Sequence, residues 1–193
     1  MDVVSLRKLT LFCTLALVGA TLQPAAAQSA PSPAQAATSN TETPVARPAD
    51  VASMNAIIEA VYDVISGPKG QERDWNRMRS LFAPGARLIS ARADKDGLTT
   101  ARVMSLEDYI RVADPKLKQE GFFEREAHRT EDLYGNIAQV FSTYESRHEA
   151  GGKPFQRGIN SFQLLFDGHR WWVMTIYWQG ETPDFPIPKQ YGG

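Results

Sequence analysis

From Phe122 to Gln179 the chain loses helical periodicity and falls into four long β-type runs separated by three short turn signals, Tyr134-Gly135, Gly151-Gly152 and Asp167-Gly168. Connections this short make consecutive strands antiparallel neighbours. The runs Phe122 to Leu133, Asn136 to Glu149, Phe155 to Phe166 and Arg170 to Gln179 are therefore predicted to form one meander. The helical patterns lie upstream. Val51, Met54, Ile57, Ile58, Val61, Tyr62 and Ile65 recur at helical spacing behind Asp50, a good N-cap, and stop before Gly67-Pro68. Asp74 caps a short second helix that buries Trp75, Met78, Leu81 and Phe82 and is ended by Pro84-Gly85. Two strands, Ala86 to Ala93 and Leu98 to Met104, meet around the Asp96-Gly97 turn. Ser105 opens a third helix carrying Leu106, Tyr109, Ile110 and Ala113, broken at Asp114-Pro115. The order α-α-β-β-α-β-β-β-β implies an α+β domain with one curved antiparallel sheet wrapped around three helices.

The ends of the chain have a different composition. Arg7 and Lys8, the apolar run Leu9 to Leu22 and the small-residue site Ala25-Ala26-Ala27 read as a secretory signal over residues 1–27, cleaved after Ala27. The apolar run is too short for a membrane span. Cys13, the single cysteine, leaves with it, so disulfides, cysteine-ligated zinc, Fe–S clusters and thiol catalysis are excluded from the mature chain. Residues 28–50, rich in Ala, Ser, Thr and Pro, read as a disordered leader, and 182–193 as a Pro-rich tail flanking the domain at 51–181. A periplasmic location is the expectation, with no membrane association once the signal is removed. Lys+Arg at 21 against Asp+Glu at 22 leaves a net charge of −1. A chain so near neutrality lacks the one-signed field of a nucleic-acid binder. No G-x-S-x-G, P-loop, G-x-G-x-x-G or H-E-x-x-H run is present, so no cofactor is implied, and no histidine pair sits at metal-ligand spacing. Lys69 to Arg79, locally basic, reads as a solvated helix face.

The order of elements carries a family resemblance, reinforced by Asp74-Trp75 leading to Leu81-Phe82-Ala83-Pro84-Gly85-Ala86 and by the closing Gly158-Ile159-Asn160-Ser161, Trp171-Trp172-Val173 and Trp178-Gln179. Together these resemble the nuclear transport factor 2-like superfamily, which includes ketosteroid-isomerase-like proteins. The run Gly135 to Glu145 is similar to exported bacterial members of unassigned function. The resemblance implies a cone-shaped α+β barrel whose open end is a pocket, used by different members for isomerisation, dehydration, epoxide hydrolysis, ligand binding or protein contact. It implies that Tyr62, on the apolar face of the first helix, could aim its hydroxyl at a substrate oxygen. Ketosteroid isomerases place a carboxylate base on the first strand after the second helix, but Ala86 to Arg92 holds no acid. The Asp-Arg-Asp set of epoxide hydrolases and the paired histidines of dehydratases are missing as well.

The site must then be argued from residues. The Asp167-Gly168 turn puts Gly158, Asn160, Phe162, Leu164 and Phe166 on one face with Trp171, Val173, Thr175 and Tyr177. That face grades from apolar to polar, which makes Asn160, Thr175 and Tyr177 expected ligand-binding residues, with Tyr62 and Trp75 from the helices. The opposite face carries Trp172, Met174, Ile176 and Trp178, an aromatic patch expected to be covered in a homodimer. Glu124, Glu126 and His128 alternate on one strand, about 6.6–6.8 Å apart, and form a candidate acid/base set or a solvated outer face. A three-residue Tyr134-Gly135 connection would set Glu126 opposite Tyr144 and His128 opposite Ser142. His128, Glu126 and Tyr144 are thus the catalytic candidates. The leading expectation is an exported small-molecule-binding protein with an apolar cavity for an apolar or aromatic ligand. The alternatives are a lyase or isomerase acting by general acid/base catalysis in that cavity, and a non-catalytic dimeric interaction module.

Overall fold

The computed structural model describes residues 43–193. The expected signal at 1–27, its cleavage site, Cys13 and the expected leader up to residue 42 lie outside the described residues. In chain order the elements are α1 (Pro48–Val51), α2 (Met54–Ile65), α3 (Trp75–Leu81), β1 (Phe82–Ala93), β2 (Thr99–Met104) and α4 (Leu106–Glu120). The meander follows as β3 (Phe123–Tyr134), β4 (Ile137–Arg147), β5 (Gln156–Phe166) and β6 (Trp171–Gly180), and a 3-10 turn at Lys189–Tyr191 closes the chain.

One six-stranded sheet, ordered β2-β1-β6-β5-β4-β3, curves around α2, α3 and α4. The α+β cone is the expected one, with two differences. The sheet is mixed, because β1 runs parallel to β6 while every other pair is antiparallel. It is also open, with β2 and β3 as free edges, so the barrel does not close. The short turns dictate antiparallel order only within β3–β6; no turn signal sets the direction in which the β1–β2 hairpin docks.

The core sits where the helices meet the deep end of the sheet. Ile57 and Leu81, from α2 and α3, and Val140, Phe162 and Val173, from three strands, are all 0% exposed. α2, α3 and α4 are capped by side chains. Ser105 and Asp108 form a capping box for α4, and Asp74 accepts the Arg77 amide at the start of α3. For α2 the cap is Ser53, whose Oγ accepts the Ala56 amide at 3.1 Å, and not Asp50. Asp50 belongs to α1, formed from the last residues of the expected leader. Its carboxylate takes two hydrogen bonds from Arg77 at 2.7 and 2.9 Å, which hold it below the usual range and tie α1 to α3. The third helix does not break at Pro115. α4 continues to Glu120 because Pro115 and Arg111, whose carbonyl loses its partner, both lie on the exposed face.

Within Lys69 to Arg79, Arg73 is buried. Its guanidinium donates to the carbonyls of Ile65 (2.8 Å), Gly67 (2.7 Å) and Gln71 (2.6 Å), and so satisfies the C-terminal end of α2. The Pro-rich tail folds back on the outer face of the sheet. Thr143 donates to the Tyr191 carbonyl at 2.6 Å, Arg157 donates to the Gly192 carbonyl at 2.9 Å, and Ile187 is buried. Among the described residues, no helix is long and apolar enough to cross a membrane.

Candidate functional site

Two β-bulges decide which side chains face the inside of the cone. In β5–β6 the register shifts between Gln163 and Leu164, and Met174 is the extra residue. Trp171 and Val173 keep the expected inward parity, but beyond Met174 it reverses. Ile176 and Trp178 line the cavity, whereas Thr175 and Tyr177 face outward, with Tyr177 45% exposed. The two ligand-binding assignments on β6 are therefore corrected, and the expected outer patch is split, since only Trp172 and Met174 of its four residues remain outside. The driving force is burial: the bulge trades a threonine and a tyrosine for an isoleucine and a tryptophan on the inner face, and a fully buried isoleucine contributes roughly 1.5–3 kcal/mol.

In β3–β4 the turn is two residues, Gly135-Asn136, and Ala127 is the bulged residue. The shorter turn and the bulge offset each other on one side of Ala127. Glu126 is opposite Tyr144 as expected, but His128 is opposite Thr143 and points outward. Its Nε2 meets the Gln190 carbonyl at 3.1 Å, under the tail. His128 cannot act in the cavity. The bulge also turns Arg129 inward, where its Nε bonds Glu126 at 2.8 Å and its Nη1 bonds Asn55 at 2.5 Å. Trp75 is a further correction: its Nε1 donates to Asp114 at 2.7 Å, joining α3 to α4 outside the cavity.

Tyr62, Tyr144 and Asn160 do come together in the cavity lining. The Asn160 amide donates to the Tyr62 oxygen at 3.1 Å, and the Ser142 hydroxyl donates to Glu126 at 2.5 Å. The Tyr62 hydroxyl proton must then go to Ser142 Oγ, 2.7 Å away. The chain Asn160, Tyr62, Ser142, Glu126, Arg129 is complete, and every buried polar group in it is satisfied. Burial pushes the Tyr62 hydroxyl well above its ordinary range. Glu126 lies behind this chain and not among the cavity-lining residues, so it is an orienting group and not a base exposed to a ligand.

The carboxyl that does face the cavity is Glu124, opposite Ser146 in β4. Ser146 Oγ donates to it at 2.6 Å. Burial raises its pKa to about 7, against the opposing hydrogen bonds from Ser146 and Asn160. Tyr144 stands beside it, its hydroxyl pushed up by burial and by the Glu124 charge and eased by Arg92. Gly158 makes room for that ring: a Cβ there would lie 2.4 Å from the Tyr144 hydroxyl and 2.4 Å from the Gln179 carbonyl. Sequence reasoning placed Glu124 in the alternating set without separating it from Glu126 and His128. The available signal was the series Ala138, Val140, Ser142, Tyr144, Ser146, in which hydroxyls replace aliphatics on one face of β4.

The cavity has a volume of about 580 Å³, inside the roughly 300–1,000 Å³ of small-molecule pockets. Met78, Leu88, Phe162 and Ile176 form its floor, and Tyr109 meets Trp178 edge to face at 6.3 Å on its wall. Among the described residues no group of His, Cys, Asp and Glu is placed to hold a metal ion.

A curved sheet wrapped on helices, with a pocket at the open end, is the cone-shaped α+β fold that the resemblance implies. No protein-family model and no curated protein matches the chain. Solved structures do. An uncharacterised protein with a cystatin-like fold from Caulobacter vibrioides superposes with a TM-score of 0.50 at 11% identity, over 69% of this chain and 90% of its own. A protein from Kribbella flavida gives a TM-score of 0.50 at 10% identity, over 68% and 90%. A nuclear transport factor 2-like protein of unknown function from Silicibacter pomeroyi gives 0.44 at 15%, over 67% and 94%. At these identities the likeness is one of fold alone.

Proposed function

We propose that this is an exported protein that binds a small apolar or aromatic molecule in the cone. The observation that carries the reading is the open cavity of about 580 Å³, apolar at its floor and polar at Glu124, Tyr144 and Asn160. Fixed hydrogen-bonding groups above an apolar floor orient a ligand without filling its space. An interaction module calls instead for a filled cone and a continuous outer apolar patch. A thermal-shift screen with a ligand library tests the proposal, since a ligand at 100 times its Kd stabilises by about 2.7 kcal/mol. No shift with any apolar or aromatic compound would reject it. Export rests on residues 1–27, and intact mass of periplasmic material beginning at Gln28 is the matching check. A homodimer through the outer face around Trp172 and Met174 is part of the proposal; light scattering at micromolar concentration tests it.

One observation favours catalysis as a second reading. A carboxyl whose pKa is about 7 can both take and return a proton near neutrality, and Glu124 is inside the cavity beside Tyr144. In an isomerase or lyase, Glu124 would be the base and Tyr144 the hydrogen-bond donor, in place of His128 and Glu126. The Glu124→Gln variant would then bind the ligand and lose turnover; retained turnover excludes this reading and leaves the binding one intact.

A further inference from the structure

The mouth of the cavity carries charge that has no ion-pair partner among the described residues. Arg92 on β1 and Arg102 on β2 line it together with Lys116 on α4. Register explains the convergence. Leu88 pairs with Met104, Ser90 with Arg102 and Arg92 with Thr100, so the inner face of the β1–β2 hairpin runs from an apolar floor to two arginines at its outer end. Arg92 and Arg102 are diagonal cross-strand neighbours, a relation that sets residues about 7–8 Å apart. Lys116 faces them from α4, on the helix face that also presents Tyr109, Val112 and Ala113 to the cavity.

The two arginines differ from the other arginines among the described residues. Every other arginine among the described residues makes at least one side-chain hydrogen bond or ion pair, including exposed ones such as Arg47, Arg111 and Arg125. Among the described residues, Arg92, Arg102 and Lys116 make none. The acids that face the same cavity are Glu120 at the rim and Glu124 deeper in, and burial keeps Glu124 largely neutral below about pH 7. Positive charge dominates the mouth of a protein whose net charge is −1.

We propose that the ligand is an amphiphile with an acidic head, a carboxylate, sulfonate or phosphate on an apolar or aromatic body, and that Arg92, Arg102 and Lys116 hold the head at the mouth while the body fills the cone. The inference rests on the binding reading above and adds the chemical class. Guanidinium groups suit it because each offers a planar fork of donors to an oxyanion, and the low-dielectric wall of the cone strengthens the contact.

The test uses two fluorescent probes that differ by one sulfonate, N-phenyl-1-naphthylamine and 8-anilino-1-naphthalenesulfonate, titrated into the full mature chain. In low salt the sulfonate is expected to bind about tenfold more tightly than the amine, a factor equivalent to about 1.4 kcal/mol. The Arg92→Gln/Arg102→Gln double variant should bring the two to within about twofold, with the affinity for the amine unchanged. The preference in the wild type should also shrink as salt is raised, because charges at an open mouth are screened; this arm needs no variant to fold. Equal affinities in the wild type, or a preference that neither salt nor the double variant reduces, would overturn the acidic-head inference and leave the cavity reading standing. Failure of both probes to bind would overturn both.

Discussion

The two ends of the cone are built from the same strands and do opposite work. At the deep end Val140, Phe162 and Val173 are 0% exposed and pack against Ile57 and Leu81. A few residues along the same strands, the inner face carries Ser146 on β4, Asn160 on β5 and Trp178 on β6, around empty space. The deep end gains its stability from close packing of apolar groups. The mouth forgoes that packing and keeps polar groups fixed by one another, as in the chain from Asn160 to Arg129. Stability and function are thus separated along the strand direction, and substitutions at the two ends should have different signatures.

The largest effect is expected at the deep end. Phe162→Ala removes a fully buried ring that meets Tyr62 edge to face at 6.1 Å, and should cost about 3–5 kcal/mol in urea unfolding. Arg92→Gln at the mouth should stay within about 0.5 kcal/mol of wild type. Similar losses in the two variants would break the contrast.

Glu124 sharpens it through pH. Its folded pKa, about 7, lies above the ordinary 4.5, so the folded state holds a proton that the unfolded chain releases. Stability conferred by the protonated carboxyl is present below about pH 4.5 and is lost as pH rises to about 7, by on the order of 3 kcal/mol. Glu124→Gln has no proton to lose, so its stability relative to wild type should rise across that window and level off above it. Parallel pH profiles for the two proteins would show that burial does not perturb this carboxyl.

Tyr62→Phe lies at the boundary between the ends. It keeps the ring and deletes the hydroxyl, leaving the Asn160 amide without its acceptor at 3.1 Å, and should cost about 1–3 kcal/mol. His128→Ala should be the mildest, at about 1 kcal/mol or less, because it removes only the contact with the Gln190 carbonyl. Faster proteolysis of the tail with unchanged probe binding is its expected signature. A loss of binding in this variant would place His128 in the site after all.

How much of this could be read in the sequence differs strand by strand. β4 and β5 pair without a register shift, and simple alternation assigns Tyr144, Asn160, Phe162 and Leu164 to the inner face correctly. β3 and β6 each contain one bulge, and there the same alternation fails beyond Ala127 and Met174. For this single reason alternation puts Thr175 and Tyr177 on the wrong face and puts His128 on one face with Glu124 and Glu126. Neither bulge is marked by a glycine or a proline. Each is set by what its two flanking segments bury, Ile176 and Trp178 in one case and the Arg129 pairing with Glu126 in the other, which is information from across the sheet.

The sequence by itself determined the element types, the antiparallel meander and the apolar deep end, because turn chemistry and side-chain period act between residues close in the chain. Only the tertiary structure decided that β1 lies parallel to β6, that the tail covers the outer face at Thr143, and that of three alternating candidates Glu124 alone faces the cavity. A single extra residue in a strand reverses every side chain beyond it at the cost of one unpaired position. Local signals cannot fix so cheap a change; the long-range packing on either side of it does.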